Sequence, residues 1–241
     1  MRVEQQPAFV LHARPWRETS LLIEALTRDH GRVGLVARGV RAARSRFPRA
    51  VLQPLTPLNV SWSGRGELST LTAAEPAGNA LHATGESLLC ALYLNELVAR
   101  LLPRNDPHPG VFEEYLAAFA RLGGDGAPAW TLRRFERDLL GHLGYGLVLE
   151  ADAETGESLD AAGDYAYRFE HGPVRWRGSD DGLKVRGSAL IALASDTEPK
   201  PEDLSALRRL LRALIARHLD GAELRAWSLF TSSAVRAAPS P

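Results

Sequence analysis

The hydrophobic period of this 241-residue chain changes once, near residue 84, and that change limits the fold more than any other feature. Before it, apolar residues fall in short runs bounded by turn residues, as strands require. After it they recur every three or four positions, as helices require. Strands gathered at the front and helices at the back predict an α+β protein, with a division into residues 1–80 and 81–241.

In the front part, residues 8–14 (AFVLHAR) and 20–27 (SLLIEALT) read as strands, and Arg28-Asp29-His30-Gly31 reads as a tight turn with glycine where a positive φ is needed. A third strand spans 32–40 (RVGLVARGV), with Gly34 and Gly39 suited to bulges or bends. After a basic connection at 41–50, runs 55–63 (LTPLNVSWS) and 67–74 (ELSTLTAA) flank the hairpin loop Gly64-Arg65-Gly66. Five short strands in about 75 residues predict a small closed barrel of the OB type, with an SH3-like barrel as the alternative.

Helical spacing then appears at 86–102, stopped by Pro103, at 110–122, ending in Gly123-Gly124, and at 130–143. It returns at 187–194 and 202–219, weakly near 228–236, and these segments together predict a helical bundle. Between them, 145–184 is acidic and rich in glycine, and reads as an irregular inserted subdomain with a hairpin at 165–169 and 174–177.

No catalytic constellation is recognisable. Gly141, Gly144 and Gly146 have the wrong spacing for a dinucleotide turn and read as a helix end. The seven histidines are scattered, with none at i, i+4, and Cys90 sits on an apolar helix stripe, where a thiol packs as a small hydrophobe. There is no Gly-x-Ser-x-Gly elbow. The expectation is a protein that is no enzyme and uses no cofactor or metal. One cysteine cannot form an internal disulfide, and no run reaches the roughly 18 apolar residues of a membrane span, so a cytoplasmic location is expected.

The formal charge is zero, but it is unevenly shared. Residues 1–80 are net basic and the remainder net acidic, and between 28 and 49 seven arginines face the lone Asp29. Only Lys184 and Lys200 are lysines, so the preference for arginine is chain-wide and only its clustering is informative. The positions Arg28, Arg32, Arg38, Arg41, Arg44, Arg46 and Arg49 fall on the second and third strands and the following loop, segments with which OB-type barrels bind single strands. Trp16, Phe47 and Trp62 are either stacking surfaces or barrel core. The other reading of the basic front is a solvated face on a protein-binding adaptor.

The run Leu11-His12-Ala13-Arg14-Pro15-Trp16-Arg17-Glu18-Thr19-Ser20, the turn Thr27-Arg28-Asp29-His30-Gly31-Arg32 and the segment Val36-Ala37-Arg38-Gly39-Val40-Arg41 closely resemble the N-terminal barrel of the RecO family. The later run Arg133-Arg134-Phe135-Glu136 to Leu140-Gly141-His142-Leu143-Gly144-Tyr145-Gly146 resembles the helical core of that family. The resemblance implies an OB-fold followed by a helical domain and a cytoplasmic, nucleoid-associated mediator of DNA repair and recombination. Such a mediator binds single- and double-stranded DNA, anneals complementary strands and helps load RecA onto strands coated by single-strand-binding protein. It also implies RecR, and in some species RecF, as partners. On this basis Arg14 and Arg17 join the DNA-binding candidates, and Arg133 and Arg134 are candidates for docking the acidic, apolar tail of single-strand-binding protein. Two departures stand out. Residues 145–184 lack the four zinc-binding cysteines some members carry, which places the chain with the zinc-free branch, and Leu224-Arg225-Ala226-Trp227 replaces a Leu-Lys-Ser-Arg-like run.

Overall fold

The computed structural model describes residues 1–42, 47, 50–64, 66–81, 83–178, 182–219, 223–228 and 230. The chain forms two compact units, Met1–Gly123 with Leu224–Pro241, and Gly124–Glu223. The change from strand to helix falls near residue 80 as expected, while the first unit also takes in the first two helices.

That first unit contains β1 (Arg2–Trp16), β2 (Ser20–Thr27), β3 (Gly31–Ala37), β4 (Pro57–Ser63), β5 (Leu68–Pro76), α1 (Gly85–Leu101) and α2 (Pro109–Gly123). The strands close into a barrel in the OB-type order β1-β2-β3-β5-β4. Every seam is antiparallel except β3–β5, which is parallel. β1 serves two seams: Arg2–Phe9 pairs with β4 and Ala8–Trp16 with β2. The strand bends to do so, with register shifts between Val3 and Gln6 and between Val10 and His12, and Gln5 at φ 53°.

Two bulges therefore lie in β1, a further irregularity falls between Ser61 and Trp62 on the β4–β5 seam, and β3 runs in unbroken register beside β2. Gly34 has another role. A Cβ there would lie 2.7 Å from the Glu67 carbonyl oxygen and 2.8 Å from Leu68 Cδ2, so the missing side chain is what lets β5 approach and close the parallel seam. Gly31 takes the positive φ expected of the turn, and a side chain there would also overlap the Asp106 carbonyl.

Val10, Ile23, Ala25, Val33, Leu35, Leu58, Val60 and Trp62 fill the barrel. Phe47 and Trp62 belong to this core, so neither is a stacking surface; Trp16 remains half-buried. Outside the barrel, Phe9 packs its ring 4.9 Å from Tyr115 and 5.1 Å from Phe119 of α2. Asn95 of α1 donates to the Leu11 carbonyl at 3.1 Å and accepts from the Tyr115 hydroxyl, whose pKa burial raises. Cys90 is buried in α1, as a small hydrophobe would be.

β2 is thus covered on both faces, and Glu24 is the one charge within it. Its carboxylate accepts from Arg32 Nη1 at 2.9 Å, from Arg104 Nε at 3.1 Å and from Arg104 Nη2. Arg32 also donates from Nε to the Leu102 carbonyl at 2.8 Å, and its own carbonyl accepts from the Asn105 amide at 2.8 Å. Burial, with Arg104 alongside, holds the Arg32 guanidinium below its ordinary pKa despite Glu24, while the Glu24 hydrogen bond raises that of Arg104. The chain leaving α1 is in this way fastened to the β2–β3 hairpin. At the other end of the unit, Glu96 caps the helical turn at 225–228, accepting from the Arg225 and Ala226 amides at 2.9 Å each. The weak helical pattern at 228–236 lies largely outside the described residues.

The second unit holds α3 (Pro128–His142), β6 (Asp164–Arg168), β7 (Gly172–Arg175), β8 (Leu183–Arg186), α4 (Gly187–Ala194) and α5 (Pro201–Arg217). The segment expected to be irregular is more ordered than that. Its hairpin is β6–β7, and β8 adds a third strand in the order β7-β6-β8. β8 escapes the sequence pattern because only Val185 among its four residues is buried. Asp152 organises the loop before the sheet: Oδ1 accepts from the Glu154 amide (2.8 Å) and Thr155 amide (3.2 Å), and Oδ2 from the Arg175 amide (2.8 Å). Burial pushes this carboxyl up, but the three amide donors, aided by Arg177, outweigh it and hold its pKa below the usual range. Among the described residues, no helix is long and apolar enough to cross a membrane.

Glu24→Gln leaves two guanidiniums facing one neutral amide, and urea denaturation is expected to register a loss of about 2–3 kcal/mol. Glu67→Gln, whose partner Arg104 is 3.7 Å away and whose side chain is 87% exposed, is expected to cost less than about 0.5 kcal/mol. For Asp152 the depressed folded pKa means that its stabilisation is present above the unfolded value near 4 and is lost as the pH falls through the lower, folded value. Wild type is therefore expected to exceed Asp152→Asn in melting temperature at pH 7, with the gap narrowing below about pH 4.

Candidate nucleic-acid interface

The turn between β1 and β2 and the exit from β3 meet at one end of the barrel. Register places Trp16 opposite Ser20, Arg14 opposite Leu22, and Leu21 opposite Ala37. The Arg41 amide then donates to the Thr19 carbonyl at 2.8 Å, which ties the chain beyond β3 to that turn. Arg14, Arg17, Arg38 and Arg41 are brought together on these three segments, all exposed, and none forms an ion pair with another described residue. Arg17 stands in the turn at φ 51°, and Trp16 presents a half-buried ring beside it. Glu18 is the one carboxylate in residues 14–20 and 37–42.

Exposed guanidiniums without internal partners can form charge-assisted, bidentate hydrogen bonds to phosphate without first breaking a protein contact. Their spacing along three chain segments suits a backbone that passes across the barrel end, and a ring beside them suits a base. Arg44, Arg46 and Arg49, which follow Arg41 along the chain, lie outside the described residues.

The other two arginines of the cluster belong to the opposite end of the β2–β3 hairpin, where Thr27 pairs with Gly31. Arg32 is held by Glu24 and the Leu102 carbonyl as described above. Arg28 pairs with Glu113 of α2 at 3.0 Å and lies over the Phe112 ring, 5.2 Å from its centroid. Both positions fasten the barrel to the helices of its own unit. Sequence reasoning missed Glu113 and Glu24 as their counterparts. The signal was available in β2, because a glutamate between apolar residues on a strand buried on both faces requires a cationic partner.

In the second unit, Arg133 and Arg134 are neighbours in α3 but stand in different surroundings. Arg133 is buried and donates from Nη2 to Glu136 at 2.5 Å, an i, i+3 pair inside the unit. Arg134 is at the surface, donating to Asp196, which also accepts from Arg137 at 3.3 Å. Arg137 further donates to the Leu193 carbonyl at 2.5 Å, so α3 is bound to the end of α4. Of the two tail-docking candidates only Arg134 keeps part of its side chain in solvent, 22% against 6% for Arg133.

Comparison with known proteins agrees with this architecture. Residues 1–80 match the family described as recombination protein O N terminal, and residues 82–228 match recombination protein O C terminal. The chain is 50% identical over 231 residues to the DNA repair protein RecO of Nitrosococcus oceani, covering 95% of this chain and 93% of that one. It is 47% identical over 226 residues to the RecO of Aromatoleum aromaticum, covering 93% of each. With the RecO of Stenotrophomonas maltophilia the identity is 44% over 239 residues, covering 98% of this chain and all of that one. A barrel and a helical part that match both family regions, with identity of this level along almost the whole length, place this chain in the RecO family of DNA repair proteins.

Proposed function

We propose that this chain is a non-catalytic recombination mediator that binds DNA at the barrel end carrying Arg14, Arg17, Arg38 and Arg41. The observation that supports the reading is the Arg41–Thr19 backbone bond, which gathers four exposed arginines from three segments beside Trp16. The contacts are to phosphate, so single- and double-stranded DNA of any sequence are ligands. Neutralising phosphates on two strands lowers their mutual repulsion, and this is the physical basis on which the protein anneals complementary strands. Arg28 and Arg32 have a supporting role, since their guanidiniums hold internal carboxylates.

In this reading the protein works with RecR, and in some species RecF, in the cytoplasm at the nucleoid, and helps load RecA onto strands coated by single-strand-binding protein. Arg134 receives the tail carboxylate of single-strand-binding protein in competition with Asp196, while Arg133 keeps α3 in place through Glu136.

Fluorescence-detected annealing of two complementary oligonucleotides tests the proposal. Wild type is expected to accelerate annealing, and the Arg38→Glu, Arg41→Glu double variant to lose that effect for all sequences alike. Four phosphate contacts predict a slope of log affinity against log salt near −2.8 for single strands, at roughly −0.7 per contact. A slope near zero with unchanged binding of single-strand-binding protein would instead describe a protein-binding adaptor.

A further inference from the structure

The second unit contains a cleft of about 390 Å³ where the ends of α3 and α5 meet the β6–β7 hairpin. This volume lies within the roughly 300–1,000 Å³ usual for small-ligand sites. Tyr145 stands at its edge with 51% of its surface exposed, although it is a large aromatic residue. The exposure is not a matter of a loose loop. α3 ends at His142 and the chain turns at Gly144 with φ 85°, where the Tyr145 amide donates to the Leu140 carbonyl at 2.8 Å and the Gly144 amide to the Gly141 carbonyl at 3.0 Å, the paired bonds of a Schellman cap. One face of the Tyr145 ring lies on His218, with centroids 3.8 Å apart and planes 23° from parallel. His218 itself caps α5, its amide donating to the Ile215 carbonyl at 2.9 Å. Two helix ends therefore fix the stacked pair.

Beside it, Arg217 covers the Phe169 ring at 4.6 Å and pairs with Glu170 at 3.2 Å. Val148, also exposed, lines the cleft near Gly172, where an added Cβ would lie 2.8 Å from the valine's own Cβ. The charges at the cleft largely cancel, since Arg217 already faces Glu170. A strongly anionic ligand gains little there, whereas a planar uncharged ring extends the existing stack and covers Val148. Base–aromatic stacking of this kind is tolerant of sequence.

We propose that the Tyr145–His218 pair is a stacking platform for a nucleobase of single-stranded DNA, a second point of strand contact on a different unit from the barrel arginines. It rests on the reading of the chain as a binder of single strands, and it assigns to this cleft the base and to the barrel end the phosphates. The test is photo-crosslinking of the full-length protein to an oligothymidylate carrying 5-iodouracil, with the adducts located by peptide mass spectrometry. Wild type is expected to give an adduct in the peptide carrying Tyr145 or His218, in addition to adducts near residues 14–41. Tyr145→Ala is expected to lose the first adduct and, in the Arg38→Glu, Arg41→Glu background, to weaken oligonucleotide affinity about tenfold. Tyr145→Phe is expected to keep both, because stacking needs the ring and not the hydroxyl, and it serves as the variant that preserves folding. Adducts confined to residues 14–41 with unchanged affinity of Tyr145→Ala would overturn this proposal and leave the barrel interface standing. Absence of any adduct together with absence of DNA binding would overturn both. Protection of Tyr145 by an acidic apolar peptide but not by the oligonucleotide would assign the cleft to a protein partner and overturn it as well.

Discussion

A carboxylate in the middle of a strand with no solvent face is the constraint on which the first unit depends. Glu24 interrupts β2 between Leu22 and Leu26, and in that position it is tolerated because two guanidiniums reach it. Arg32 comes from the adjacent strand and Arg104 from the chain leaving α1, so one half-buried charge binds the hairpin to the segment between the helices. The segment that carries Arg104 also leaves the turn at Gly31 no room for a side chain, because the Asp106 carbonyl lies where it would be. Barrel and helices α1 and α2 then form one compact unit, although strand pairing alone would end at Pro76.

Position along the hairpin decides what an arginine does here. At the β2–β3 turn, Arg28 and Arg32 meet acidic partners supplied by α2 and β2. At the opposite end no described carboxylate pairs with Arg14, Arg17, Arg38 or Arg41. A run of like charges in sequence is thus divided by the strand length into a structural half and a solvent-facing half. The chain is neutral overall while one end of its barrel carries four exposed arginines.

Much of this was legible in the sequence. The extent of β2 follows from SLLIEALT, and α4 from 187–194, because in each a run of apolar residues ends at a turn or cap. The OB-type order was legible from five strand-like runs and the family resemblance together. The full length of β1 was not, because its first half, Arg2–Gln6, carries polar residues at the edge where it pairs with β4. Nor was β8, whose four residues bury one valine. For the site, clustering of arginines was visible but its division was not, because partners such as Glu113 and the Leu102 carbonyl lie 70 or more residues from the cluster's start and no local pattern points to them. The roles of Phe47 and Trp62 needed the closed barrel, since aromatic rings inside and outside look alike in sequence.

The double service of β1 has a consequence for how the protein is made. Its second half has its partner, β2, next in the chain, but its first half has no partner until β4 has also emerged, a further thirty or so residues on. During that interval Arg2–Phe9 presents an open edge, and edges of this kind invite pairing with the wrong chain. The exposed Arg2 and Glu4 and the kink at Gln5 make this half a poor template for such pairing, so the irregularity that lets the finished barrel bend also protects the unfinished one.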